Sequence, residues 1–186
     1  MEERIIFAGF GGQGIMSMGL IMSYAGMMDG KNVSWLPSYG PEMRGGTANC
    51  HVTISDEPVG SPIINEATVV VAMNRPSLEK YEQDIVKGGL LLINSSLITI
   101  EHKRRDIEVY RIPTNDIANQ LGNLKVANSI MIGVLMGLKN MISEAAIKIS
   151  FGKVFEGKEN LIPLNIKAYE RGKEFISSIS SQLVAR

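Results

Sequence analysis

The residues best suited to chemistry are the glycines of Gly9-Phe10-Gly11-Gly12-Gln13-Gly14, which separate the apolar run Arg4-Ile5-Ile6-Phe7-Ala8 from a longer one, Ile15 to Ala25. The first run reads as a buried strand and the second as a helix packed on a sheet. The first N–H groups of such a helix have no partner within it, and the positive end of the helix dipole lies behind them, so the junction can receive an anion. Glycine permits the sharp reversal and lets a ligand come close to the backbone. Gly9, Gly11 and Gly14 also satisfy G-x-G-x-x-G in the strand-then-helix context that the motif requires.

A dinucleotide site needs, in addition, a carboxylate at the end of the second strand to hold the ribose hydroxyls. That strand is expected over Asn32 to Leu36 and is followed by Pro37-Ser38-Tyr39-Gly40, with no carboxylate. Asp29 precedes Gly30 and reads as the polar exit of the first helix. The missing acid argues against NAD or FAD. Two readings of the turn stay open, a seat for an anion or a partner's backbone and a purely structural tight turn.

A second glycine-bearing loop runs from Ser38 to Gly46 and carries Arg44 beside Gly45, with Pro41 stiffening its approach. Loops of this length in a compact domain tend to be functional, and a guanidinium held this way suits a planar anion or a facing carboxylate. The loop leaves the carboxyl end of its strand, so in an open α/β sheet it should neighbour the first glycine turn. Asn74 closes the most apolar strand, Ala67 to Asn74, at the same edge. The candidate binding residues are therefore Gly9, Gly11, Gly12, Gln13, Gly14, Ser38, Tyr39, Gly40, Arg44, Gly45 and Asn74.

No catalytic constellation accompanies them. Cys50 and His51 are adjacent on an alternating strand, Thr47 to Ser55, and so point to opposite faces. The other histidine, His102, opens the charged run His102 to Asp106, which reads as a solvated turn. A single cysteine excludes an intrachain disulfide and a self-contained iron-sulfur or cysteine-based zinc site. Neither a catalytic nor a metal-binding set is expected in this chain.

The elements that must position these residues follow from patterning. With 186 residues the chain is expected to form one domain, residues 1–186, around one core. Lys plus Arg equals Asp plus Glu at 19 each, which gives no electrostatic case for nucleic acid or an anionic membrane surface. No apolar run approaches the roughly 18 residues of a membrane span, and the chain opens without a signal peptide, so a cytoplasmic protein is expected. Further strands are expected at Leu90 to Ser95, after a Gly88-Gly89 turn, and at Ile107 to Ile112. A helix is expected from Pro76 through Tyr81 to Ile85, with others over Asn115 to Leu121, Val126 to Leu138, Glu144 to Phe155 and Ile162 to Leu183. Gly133 and Gly137 inside the apolar helix imply close approach of another element, most simply the sheet. Strands alternating with helices give a doubly wound, mostly parallel α/β sheet, Rossmann-like, with helices on both faces. The 11 methionines read mainly as core filling, with Met27, Met28 and Met43 placed to meet a partner.

The Gly9 to Gly14 turn, the segment Tyr39-Gly40-Pro41-Glu42-Met43-Arg44-Gly45-Gly46-Thr47-Ala48-Asn49, Asn74 with Pro76-Ser77, and Gly122-Asn123 followed by Ala127-Asn128 resemble the gamma subunit of 2-oxoacid:ferredoxin oxidoreductases. The likeness keeps its order over nearly the whole chain, and Glu42-Met43-Arg44 resembles the 2-oxoglutarate type more than the pyruvate type, with the 2-oxoisovalerate type still open. The resemblance implies one part of a multisubunit oxidoreductase that decarboxylates a 2-oxoacid, joins the acyl group to coenzyme A and reduces ferredoxin. Thiamine diphosphate, magnesium and [4Fe-4S] clusters would belong to companion alpha, beta and ferredoxin-like delta subunits, and this chain alone would hold none of them. It would assist assembly; the Gly9 to Gly14 turn and Arg44 are expected to help hold the phosphates of coenzyme A, and a glycine-lined, methionine-bearing interface should make the isolated chain a homodimer. A stand-alone nucleotide-dependent oxidoreductase and a ligand-free interaction module are the competing classes.

Overall fold

The computed structural model describes residues 1–40 and 46–184, with side chains described through residue 179. A six-stranded sheet in the order β2-β3-β1-β4-β5-β6 forms its centre. The strands are β1 (Glu2–Phe10), β2 (Asn32–Tyr39), β3 (Thr47–Ser55), β4 (Ala67–Ala72), β5 (Ile85–Asn94) and β6 (Glu108–Ile112). β1, β4, β5 and β6 pair in parallel, whereas β3 is antiparallel to both β1 and β2. Every strand except β3 therefore ends at one edge, and the expected mostly parallel α/β sheet is present.

Alternation along the strands sorts the side chains into two cores. Ile5, Phe7, Cys50, Val52, Val71 and Leu92 share the larger one with α1 (Ile15–Met28) and α4 (Ala127–Leu138). Against these helices pack α5 (Glu144–Val154) and α6 (Ile162–Val184). Ile6, Ala8, Val70 and Leu91 face the smaller core under α2 (Arg75–Tyr81). A short helix, α3 (Thr114–Gln120), follows β6.

Several boundaries differ from the sequence-based expectation. β2 continues through Pro37 to Tyr39, which an edge strand allows because its outer side needs no ladder donor. Gly88 and Gly89 lie inside β5, and α2 stops at Tyr81 before a single 3₁₀ turn, Glu82–Asp84. The run from His102 to Asp106 is more than a solvated turn. Buried Glu82 accepts the N–H groups of Lys103 and Arg104, and Arg104 donates to the Ile85 carbonyl and to the Asp106 carboxylate.

The glycines of α4 approach α6 and not the sheet. A β-carbon on Gly133 would lie 2.0 Å from the Tyr169 carbonyl oxygen, and one on Gly172 would lie 2.0 Å from that of Ile130. The two helices thus cross backbone to backbone. Gly152, in α5, faces open space. Gly133→Ala is expected to destabilise the protein by about 3 kcal/mol or more, because backbone cannot yield as a side chain can. Gly152→Ala should be neutral or stabilising by up to about 1 kcal/mol. Urea unfolding of both variants measures the contrast, and equal effects would contradict the crossing.

On the α2 side, the His51 Nδ1 accepts the Ile64 N–H at 3.0 Å and so ties down the loop after β3. Burial pushes the His51 pKa below its ordinary value, against the field of Asp84 and with that of Lys80. The folded state then takes up this proton at lower pH than the unfolded chain, so its stabilisation is complete above the unfolded pKa of about 6.5. It is lost as pH falls from there through the depressed folded value. Melting temperature should therefore drop between pH 7.5 and pH 5.5, and His51→Gln should reduce the drop; an unchanged pH dependence would remove His51 from this role.

Candidate functional site

Three depressions meet at Gly12, on the edge where β1 and β4 end. The first, about 310 Å³, is lined by Phe10, Gly11, Gly14, Met16, Ser17 and Tyr39 among others. Gly14 is the N-cap of α1 at φ +76°, no side chain caps the helix, and its first turn carries no acidic residue. The first bond within the helix runs from the Met18 N–H to the Gly14 carbonyl at 3.0 Å. The N–H groups of Ile15, Met16 and Ser17 are left to whatever enters the depression. Such an arrangement can receive an oxyanion without protein side-chain competition.

Local packing fixes the turn. The Phe10 N–H donates to Gln13 Oε1 at 2.7 Å, and Gln13 Nε2 donates to the Met73 carbonyl at 3.1 Å. One carboxamide thereby joins the ends of β1 and β4. Gly9 is buried below it, where a β-carbon would lie 2.6 Å from Gln13 Oε1. A β-carbon on Gly14 would lie 2.3 Å from Asn128 Nδ2, which itself reaches the Gly14 carbonyl at 3.4 Å. In the sequence Asn128 is a polar residue in an apolar helix and part of the Ala127-Asn128 pair that carries the resemblance; the structure gives it a place against the turn.

The two glycine loops are neighbours, as their shared edge required. The Gly11 N–H donates to the Gly46 carbonyl at 2.9 Å, and the Gly40 N–H to that of Thr47 at 2.8 Å. Arg44 and Gly45 lie outside the described residues. Tyr39 lines the first depression and is 53% exposed. Ser38 is instead on the opposite sheet face, beside Asn49 and His51, because neighbouring strand residues alternate. Asn74 does not open onto the edge either: it is buried and caps α2, accepting the Ser77 N–H at 2.9 Å. Lys125 and Asn115, which sequence reasoning did not single out, line a second depression with Gly12 and Gln13.

Cys50 is not placed to act as a nucleophile. Burial pushes the Cys50 thiol up to about 12, and Cys50 and His51 face different cores. Among the described residues no three His, Cys, Asp or Glu side chains gather to hold a metal ion.

Residues 4–175 match the family model described as pyruvate ferredoxin/flavodoxin oxidoreductase. The chain belongs to this family. Within the family, it is 39% identical over 175 residues to the ketoisovalerate oxidoreductase subunit VorA of Methanothermobacter thermautotrophicus, covering 94% of this chain and 36% of that protein. It thus spans about a third of the length of the VorA relatives. The 2-oxoglutarate synthase subunit KorC of Methanocaldococcus jannaschii is 38% identical over 181 residues, covering 94% of this chain and 96% of KorC. The family fold is also evident in solved structures. The keto/oxoacid ferredoxin oxidoreductase gamma subunit from Geobacter sulfurreducens superposes with a TM-score of 0.80 at 30% identity, covering 95% of this chain and 99% of the other. The 2-oxoglutarate:ferredoxin oxidoreductase of Magnetococcus marinus, solved with 2-oxoglutarate, coenzyme A and succinyl-CoA, superposes at 0.86 with 25% identity, covering 95% of this chain and 31% of that one.

Gln13→Ala in this family member should leave the Phe10 N–H and the Met73 carbonyl unpaired, costing about 1–3 kcal/mol. Denaturant titration and hydrogen exchange at Phe10 measure it; unaltered exchange there would show that the carboxamide does not hold the turn.

Proposed function

We propose that this chain is the gamma-type subunit of a 2-oxoacid:ferredoxin oxidoreductase acting on 2-oxoglutarate, and that its glycine-turn edge holds phosphates of coenzyme A. The observation that carries the coenzyme A reading is the uncapped, acid-free start of α1 beside the strand ends from which the Arg44 loop departs. A diphosphate suits free helix amides, and a guanidinium adds charge-assisted, bidentate contacts. Similarity to KorC over nearly its whole length supports the gamma-type assignment, and Glu42-Met43-Arg44 supports 2-oxoglutarate as the oxoacid.

In this reading the companion alpha, beta and ferredoxin-like delta subunits carry thiamine diphosphate, magnesium and [4Fe-4S] clusters. The 2-oxoacid loses carbon dioxide, its acyl group passes to the coenzyme A thiol, and the released electron pair leaves through the clusters to ferredoxin. Residues of this chain bind and orient and take no part in the redox step. Exposed Met27 (60%) and Met28 (40%) at the end of α1 suit a partner surface, and they make the isolated chain prone to dimerise. The reading places the assembled enzyme in the cytoplasm.

Purified alone, the chain should be dimeric by light scattering and should oxidise no 2-oxoacid. Co-expressed with its companions, the complex should prefer 2-oxoglutarate to 2-oxoisovalerate and pyruvate in a viologen-reduction assay. In that complex Arg44→Ala should raise the KM for coenzyme A on the order of fivefold. Activity of the isolated chain would refute the subunit reading, and an unchanged KM would refute the coenzyme A reading.

A further inference from the structure

The second depression at Gly12 differs from the first in what its lining offers. About 190 Å³ in volume, it is lined by Gly12, Gln13, Met73, Asn115, Leu124, Lys125 and Ala127. That is smaller than a pocket for a whole cofactor and suits a single compact group. The polar side-chain groups facing it are donors. Gln13 Oε1 is taken by the Phe10 N–H, and the Met73 carbonyl takes one of the two Nε2 hydrogens, leaving the other free. Asn115 Oδ1 is taken at 2.8 Å by Nδ2 of the fully buried Asn94, so what the Asn115 carboxamide has left to offer a ligand is its N–H groups. Lys125 has no carboxylate partner among the described residues, and its own backbone N–H is bound to Asn123. Its ammonium is therefore available to a ligand. Nor does the Gly12 N–H meet an acceptor among the described residues.

Amide donors and one unneutralised ammonium around a small volume, with no carboxylate among the described lining residues, call for an oxyanion. We infer that Gly12, Gln13, Asn115 and Lys125 form a subsite for a phosphate or carboxylate group, separate from the α1 amides and on the other side of the Gly12 peptide. Gln13 contributes to it by the same side chain that holds the turn, so the donor set is in place before a ligand arrives. The inference does not rest on the coenzyme A reading, since it needs only the chain itself and an anion.

Titration of the full ¹⁵N-labelled chain with inorganic phosphate, and separately with acetate, tests it. Saturating shifts are expected at the Gly12 amide, the Gln13 and Asn115 side-chain amides and Lys125. Lys125→Gln should weaken binding about tenfold, the loss of one charge-assisted contact. Asn115→Asp, which still accepts from Asn94 but places a negative charge in the depression, should abolish it. The anion that saturates these signals at lower concentration identifies the group. Saturation by neither, an unchanged affinity in Lys125→Gln, or shifts confined to Ile15, Met16 and Ser17 would each overturn the subsite; the last result would at the same time favour the seat proposed for coenzyme A phosphates.

Discussion

The contact between Gly14 and Asn128 sets the arrangement of the edge. Asn128 lies 114 residues away in the chain, yet its carboxamide sits where a β-carbon on residue 14 would be. It donates to the Gly14 carbonyl and accepts the Ser129 N–H, so the starts of α1 and α4 are tied at one point. The two helices thus begin together beside the crevice where the parallel strands β1 and β4 also end, and α1 brings to it a start that no side chain caps. That crevice is where open α/β sheets place ligands.

What keeps α4 in this position is its burial on all sides. Its sequence is apolar around the whole circumference, and such a helix belongs inside a protein. The larger core lies on one side of α4 and α6 on the other. Gly133 and Gly172 let α4 and α6 approach backbone to backbone, so α4 cannot shift outward without losing that fit. Ser129, at the edge end of α4, donates to buried Asn165 of α6 at 2.6 Å. The glycine crossing and this hydrogen bond therefore hold α4 along its length, and α4 in turn holds the turn at Gly14.

Sequence patterning captured most of this frame, because strand and helix periods are local properties. The glycine turn, the opposite facing of Cys50 and His51, and the meeting of the two glycine loops all followed from position along strands and at strand ends. The misses were of two physical kinds. Gly133 was correctly read as a point of close approach, but its partner, Tyr169, is far along the chain, and no local signal names a distant neighbour. Ser38 and Asn74 were placed at the edge by their position, whereas side-chain direction decides what they meet: Ser38 points through the sheet and Asn74 turns back to cap α2. Lys125 escaped notice because a lysine beside a helix start is ordinary in sequence. Only the fold brings it to Gly12.

The electrostatic character of this edge is local and not a property of the whole molecule. Positive and negative side chains balance at 19 each, so no long-range field draws an anion to the chain. At the edge the balance is broken by placement. Nearby Asp116 is engaged by Ser96, Asp29 at the far end of α1 is engaged by Ser143, and the first turn of α1 has no acid at all. Among the described residues, amides and the Lys125 ammonium are left without a carboxylate partner here, in a crevice where low-dielectric walls strengthen each of them. An anion would thus be recognised at short range by oriented donors and not drawn in from a distance by net charge.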